Sequence, residues 1–318
     1  MITIDIANTA NRACSLIYSF IKEQDAGVWL LPVNVCPDVP LTFCSAKIPF
    51  EFVDINPTTL CIDENECLAL LKKAPDKYRG IVYVRTYGYL FDTQNFVSKC
   101  KRITPSLKII DDRCLCLPSF KPVLYGADMV LYSTGHCKQI DLGGGGLAFY
   151  SRLTSYNIDQ DLIYDGTNEE DIYKKSYELN KPLEIIPTGW LKLDSYKDYL
   201  TYKEEIEVNI PQRIETRDEL NKIYNNNLPD NIKLDSCFQE WRFNIRVPIH
   251  LKDYILSELR ANNLFASSHY HSANRLFGND IYNCSDNLYA SVINLFNDKY
   301  YTTAKAEKTC EIINKIIK

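Results

Sequence analysis

Lys138 ends the segment ADMVLYSTGHCK and opens QIDLGGGG, so a lysine stands between an apolar run and a glycine-rich turn. A lysine in that setting can attack a carbonyl and form an imine. Upstream, the apolar run LKII ends in the acidic pair Asp111 and Asp112. A carboxylate at the end of a strand beside such a lysine is the partner that the pyridine nitrogen of pyridoxal phosphate needs, because it keeps the nitrogen protonated and the ring an electron sink. Ser133, five residues before Lys138, can bond a phosphate oxygen. These roles belong to one cofactor.

Taken singly, each residue has a plainer reading. An Asp after a buried strand usually caps a turn, and a Lys before glycines usually sits in solvent. The glycine run does not make a nucleotide-phosphate loop, since GHCKQIDLGGGG places the lysine before the glycines, opposite to GxxxxGK, and no GxGxxG opens a helix.

The elements that must position these residues alternate along the first half of the chain. Strand-like runs at 28–35, 50–55, 80–87, 107–110, 127–133 and 145–150 are separated by amphipathic stretches such as ENECLALLKKA and TQNFVSKCKRI. That cadence predicts an α/β sheet with helical crossovers. In an open, mostly parallel sheet, ligands bind beyond the carboxyl ends of the strands, which is where Asp112, Ser133 and Lys138 fall. At the start, ITIDIA reads as a strand running into the helix NTANRACSLIYSFIKE, with Asn8 or Thr9 as its cap and outward-pointing amides able to hold a phosphate. Residues 151–235 turn rich in Tyr, Lys, Glu and Asn, with helices in EEDIYKKSYELN and ETRDELNKIYNN. The last eighty or so residues read as a small α+β lobe: a strand in WRFNIRVPI, a helix in LKDYILSELRANN, a strand in LFASSHYH and a terminal helix in AEKTCEIINKIIK. The expected division is a large cofactor-binding domain over 1–210 and a small domain over 211–318.

Composition bounds the function. With 318 residues, 46% hydrophobic and 24% charged, the chain can bury a sizeable core. A net charge of -5 opposes loose binding to nucleic acid. No apolar run reaches membrane-spanning length and no secretory signal is evident, so a soluble, cytoplasmic protein is expected. The 12 cysteines, scattered without an export signal, read as reduced and mostly buried thiols. No CxxC pair occurs and the four histidines lack zinc-finger spacing, so no metal is expected.

LLPVNVCPDVPLTFCSAKIPFEFVDINPTTLCID, GIVYVRTYG, LKIIDD and ADMVLYSTGHCKQIDLGGGGLAF together resemble, in order and spacing, the DegT/DnrJ/EryC1/StrS family of sugar aminotransferases. The segment around SSHYH is similar to that family's small domain. The resemblance implies a fold type I architecture, a homodimer with shared sites, pyridoxal 5'-phosphate as cofactor, and transfer of an amino group, usually from glutamate, onto a nucleotide-linked keto-sugar, as in surface polysaccharide synthesis. It implies that Lys138 holds the cofactor covalently and then moves the proton, that Asp112 pairs with the pyridine nitrogen, and that Ser133 and the turn Thr9, Ala10, Asn11 and Arg12 bind the phosphate. His269, Tyr270 and His271 lie where the family's tail approaches the sugar.

Three positions depart from the family pattern. Cys36 replaces the aromatic that stacks on the cofactor, Leu115 replaces a Gln or His near its ring hydroxyl, and the phosphate turn lacks glycine. Two alternatives therefore stand: a family member that binds a ligand or partner without transamination, and an enzyme for amino-acid substrates in which Arg242 or Arg246 grips a carboxylate.

Overall fold

The computed structural model describes residues 7–318. Most of the ITIDIA strand lies outside the described residues. The chain begins with β1 (Ala7–Ala10) and α1 (Ala13–Lys22), and continues through β2 (Val28–Pro32), α2 (Asp38–Ala46), β3 (Phe50–Val53), α3 (Glu64–Lys73), β4 (Tyr78–Val84), α4 (Gln94–Ile103), β5 (Lys108–Asp112), β6 (Met129–Ser133) and β7 (Gly146–Tyr150). These strands form one sheet in the order β1-β7-β6-β5-β4-β2-β3. Strands β2 to β6 run parallel, and β7 pairs antiparallel with both β6 and β1.

Side chains alternate between the two faces of a strand, and the core follows that period. Val82, Val84, Ile110, Met129 and Leu131 face the layer built on α1 and α2. Ile81, Tyr83 and Ile109 face the layer that includes Phe96, Val97 and Cys100 of α4. Both faces are covered, which is why these strands read as continuous apolar runs rather than as alternating ones. The short α2 gave no periodic signal, because nearly all of its residues are buried against neighbours.

Beyond β7 the chain forms α5 (Glu169–Leu179) and α6 (Tyr199–Asn227), then β8 (Phe243–Arg246), α7 (Ile249–Ala261), β9 (Ala266–Ser267), α8 (Asn283–Ser291), β10 (Val292–Leu295) and α9 (Thr303–Ile317). The second sheet is antiparallel, in the order β8-β10-β9. Position 210 lies inside α6, a single helix whose first half packs Tyr202 and Ile206 beside the large sheet and whose second half packs Leu220 and Tyr224 in the small lobe's core. Asp54, just after β3, accepts from the amides of Cys284 (2.9 Å) and Ser285 (3.0 Å) and so caps α8 from the other lobe.

Two expectations need correction. The strand expected across LFASSHYH stops at Ser267, because side chains beyond it take over the backbone: the His269 amide donates to Asn294 Oδ1 (2.8 Å) and the Tyr87 hydroxyl donates to the His269 carbonyl (2.6 Å). Residues 268–271 thereby leave the sheet. The first helix is also not capped by Asn8 or Thr9. Those residues belong to β1, paired with Ala148 and Leu147, and Arg12 occupies the cap position without a side-chain cap bond.

Candidate active site

Asp111 and Asp112 end β5 and point to opposite faces. Asp111 is buried between Arg85 and Arg113, at 2.7 Å from each. Asp112 opens instead onto a cavity of about 850 Å³ at the carboxyl ends of the parallel strands. Ser133, at the end of β6, and Lys138, in the turn that follows, line the same cavity. The structure therefore brings together the three residues with which the sequence argument began.

The turn carrying Lys138 is held from several sides. Asp141 accepts from the amides of Cys137 (3.1 Å) and Gly143 (3.0 Å), and the Trp241 indole donates to the Cys137 carbonyl (2.7 Å). Thr134 donates to the Gly144 carbonyl and shares a bond with the Tyr202 hydroxyl, both at 2.6 Å. Glycine is required at 145, where φ is +106° and a Cβ would lie 2.5 Å from both Thr134 Oγ1 and the Tyr202 hydroxyl.

Burial holds the Asp112 carboxyl above the ordinary aspartate range, while the Cys114 amide, which donates to Oδ1 at 2.9 Å, and Lys138 pull the other way. At Lys138 burial acts to lower the ammonium, but Cys114, Cys36, Asp112 and Asp38 together hold it above the ordinary lysine value. Burial also pushes the Cys114 and Cys36 thiols well above their ordinary value, so both are neutral near pH 7. Asp38, like Asp112, is held above the ordinary aspartate range by burial, while Arg12 and Lys138 pull it the other way. Cys36 lies just beyond β2, half-buried in the cavity wall.

Of the four residues expected to form the phosphate turn, two face the cavity and two do not. Thr9 and Ala10 lie outside the cavity: both are paired in β1, and Thr9 Oγ1 donates to the Lys197 carbonyl (2.9 Å). Asn11 and Arg12 do line it, followed by Ala13 and Cys14 of the first helical turn. The glycine missing from this turn is supplied across the sheet. A Cβ on Gly146 would lie 2.6 Å from both the Ala13 nitrogen and its Cα, so glycine in β7 lets the start of α1 approach closely. The Arg12 guanidinium turns aside to Asp38 (3.2 Å) and Glu169 (3.0 Å), over the Trp190 ring.

His269, Tyr270 and His271 also line the cavity, together with Trp241 and with Tyr289 of α8. His269 is pushed down to about 3 by burial and by the nearby charges of Arg242 and Lys138, so it is neutral across the physiological range. Its Nδ1 is enclosed without a partner. The sequence reading missed Glu170, Tyr173, Lys174 and Tyr177 of α5, all of which line the cavity. Their three- and four-residue spacing was visible, but nothing in it tied that helix face to Lys138.

Arg242 does not offer its charge to a ligand. It is buried and paired with Asp298 (2.8 Å) over the Phe296 ring. Arg246 is exposed and donates to Ser291 Oγ (3.0 Å), away from the cavity lining. Leu115 is buried in the core beside Tyr87 and Trp241. Among the described residues, no cluster of His, Cys, Asp or Glu is arranged to hold a metal ion, and no helix is long and apolar enough to cross a membrane.

No protein-family model matches the chain, and no curated protein matches it in sequence. Solved structures do match. An aminotransferase described as DegT DnrJ EryC1 StrS from Brucella abortus superimposes with a TM-score of 0.71 at 16% identity, over 99% of this chain and 87% of that one. PseC of Helicobacter pylori, an aminotransferase involved in the biosynthesis of pseudoaminic acid, gives 0.70 at 16% identity, over 99% and 87%. NtdA of Bacillus subtilis with bound cofactor PMP gives 0.68 at 15% identity, over 99% and 74%. At these identities the likeness establishes the fold, that of the fold type I transferases.

Proposed function

We propose that the chain is a pyridoxal phosphate-dependent aminotransferase of the DegT/DnrJ/EryC1/StrS family, transferring an amino group, with glutamate as donor, onto a nucleotide-linked keto-sugar. The observation that carries this reading is Lys138 at the mouth of β6 in the same 850 Å³ cavity as the buried carboxylate of Asp112. Among the described residues the Lys138 ammonium is in no ion pair, and Asp112 has one oxygen on the Cys114 amide and a second left for a ring N–H. The amides of Ala13 and Cys14, ahead of the Ser15 amide that donates to the Arg12 carbonyl, suit the phosphate, as does the Ser133 hydroxyl once it gives up its long bond to the Gly145 carbonyl. When bound, pyridoxal phosphate supplies an electron sink for a carbanion at the amino-bearing carbon.

The chain's own residues then have separable tasks. Asp112 keeps the ring nitrogen protonated. Lys138 would hold the cofactor and, as a neutral amine once displaced, would move the proton at the substrate carbon. The wall formed by residues 268–271, Trp241 and Tyr289 excludes water. The likeness to PseC, an aminotransferase involved in the biosynthesis of pseudoaminic acid, supports a sugar acceptor, and the family's habit supports a homodimer acting in the cytoplasm, in surface polysaccharide synthesis.

A second reading, binding without transamination, is favoured by Arg12, whose guanidinium is taken up by Asp38 and Glu169 instead of facing a phosphate. The test is to add pyridoxal phosphate, reduce with borohydride and locate the adduct by mass spectrometry. The adduct is expected on Lys138, with a visible absorption band that disappears on adding glutamate and is absent in Lys138→Ala. A stable band that glutamate leaves unchanged would favour the second reading, and no adduct at all would reject the cofactor.

A further inference from the structure

The α5 face toward the cavity is a built surface to which the functional reading gives no role. Glu170, Tyr173, Lys174 and Tyr177 stand at positions i, i+3, i+4 and i+7 and all line the cavity. Two contacts fasten the helix over the site. At its start Glu169 pairs with Arg12 (3.0 Å), and near its end the Tyr177 ring stacks on His271, with centroids 4.3 Å apart.

Two features of this wall point to the ligand it faces. The first is the Tyr177 hydroxyl, enclosed without a hydrogen-bond partner. A buried tyrosine hydroxyl normally finds one, so an orphaned hydroxyl in a cavity wall calls for a partner that arrives with a ligand. The second is charge. Arg12 is engaged by Asp38 and Glu169, and Lys174 by Glu170, so each cation on this wall already faces carboxylate. A diphosphate would meet three acids here and no uncommitted cation among these residues, whereas an uncharged hydroxylated ring would meet aromatic faces, with the Tyr177 hydroxyl enclosed behind them until its ring turns toward the ligand.

Resting on the aminotransferase reading, we infer that α5 is the element that reads the carbohydrate ring of the substrate, with the Tyr177 hydroxyl bonding a ring hydroxyl and Tyr173 covering a sugar face, while the diphosphate lies away from this helix. The site is then closed by a helix of its own chain at the sugar end. Tyr177→Phe keeps the stacking on His271 and removes only the orphaned hydroxyl. Its effect on stability is nil or favourable, which separates a ligand-reading role from a structural one.

The test uses protein carrying pyridoxamine phosphate and calorimetric titration with UDP-N-acetylglucosamine, TDP-glucose and free UDP. Tyr177→Phe is expected to weaken the tighter nucleotide sugar about five- to tenfold, the loss of one hydrogen bond. It should leave UDP affinity within about twofold on the same scale, the cofactor spectrum unchanged, and the unfolding midpoint equal to or above that of the wild type. Tyr173→Leu should show the same selectivity. Equal weakening of UDP and the nucleotide sugar would place the nucleotide on α5 and overturn the inference, as would unchanged affinities, or failure of both nucleotide sugars to bind the cofactor-loaded wild type. Failure of Lys138 to take the cofactor would instead remove the reading beneath it.

Discussion

The two walls of the cavity are held by different means. Behind Lys138, strand ends and a turn are pinned by main-chain bonds, by Asp141, and by the contact of Thr134 with Tyr202, down to a glycine that no other residue replaces. The α5 helix is joined to the rest of the site through side chains, by the Glu169–Arg12 pair, the Tyr177–His271 stack and Tyr173 against the core, between irregular stretches of chain. The difference matches the work proposed for each. Reacting atoms need fixed spacing, to within a fraction of an ångström, and rigid strand ends provide it. A helix tethered through side chains can shift as a substrate enters.

The largest effect that tests this contrast comes from separating neighbours in β5. Asp111→Ala leaves Arg85 and Arg113 buried without their carboxylate, and losing one partner of such a pair costs about 3–5 kcal/mol. Denaturant unfolding should show that loss. Asp112→Asn should behave in the opposite way. Burial raises the folded-state pKa of Asp112 above its unfolded value, so its contribution to stability is fully present below the unfolded value and is lost as pH rises through the folded one. Replacing the carboxyl with an amide removes that loss, so the variant should gain on the wild type as pH rises above the aspartate range, while losing the cofactor-dependent band or its response to glutamate. If Asp112→Asn is as destabilising as Asp111→Ala, Asp112 is a structural carboxylate and the sheet-end wall loses its functional centre.

A smaller effect should appear at acid pH. His269 titrates near 3 when folded and near 6.5 when unfolded, so the unfolded chain binds the proton first. Its neutral form therefore stabilises the fold above about pH 6.5, and that contribution falls as pH drops toward 3, by at most about 1.4 kcal/mol per pH unit. The charges facing it, Arg242 and Lys138, act in the same direction. His269→Gln should flatten the dependence of the unfolding midpoint between pH 6.5 and 4.5. An unchanged slope would show that the ring is open to water and does not belong to the enclosed wall.

The same contrast decides what could be read from sequence. The strand-end wall was legible because a strand's end is marked by a change of residue type: LKII into Asp-Asp, and VLYS into a lysine and glycines. The fold followed from the same runs. Where β1 ends was not legible, since ITIDIANTANR carries no mark of where pairing with β7 stops, and so Thr9 and Ala10 were not distinguished from the cavity-lining Asn11 and Arg12. That end is set by Gly146, more than a hundred residues away. The strand at 264–271 was read too long for a similar reason, because Asn294 and Tyr87 release its second half from the sheet. The α5 face was visible as a helix but not as a wall, since what makes it one is His271 and Arg12 at its two ends. Long-range contacts of this kind leave no local pattern.

The smallest expected effect belongs to Arg12, and it decides where the phosphate end of the site lies. Its side chain is 40% exposed, so its pairs with Asp38 and Glu169 contribute about 1 kcal/mol or less between them. If the guanidinium stays with those carboxylates, the phosphate is held by the first amides of α1 and by Ser133. Arg12→Gln should then change the dissociation constant for pyridoxal phosphate, followed by the visible band, less than about threefold, under 0.7 kcal/mol. A tenfold or greater loss would mean that Arg12 leaves the carboxylates to grip the phosphate. Because Glu169 begins α5, that same movement would release the helix at one end, so cofactor binding would loosen the substrate wall and the two walls would not be independent.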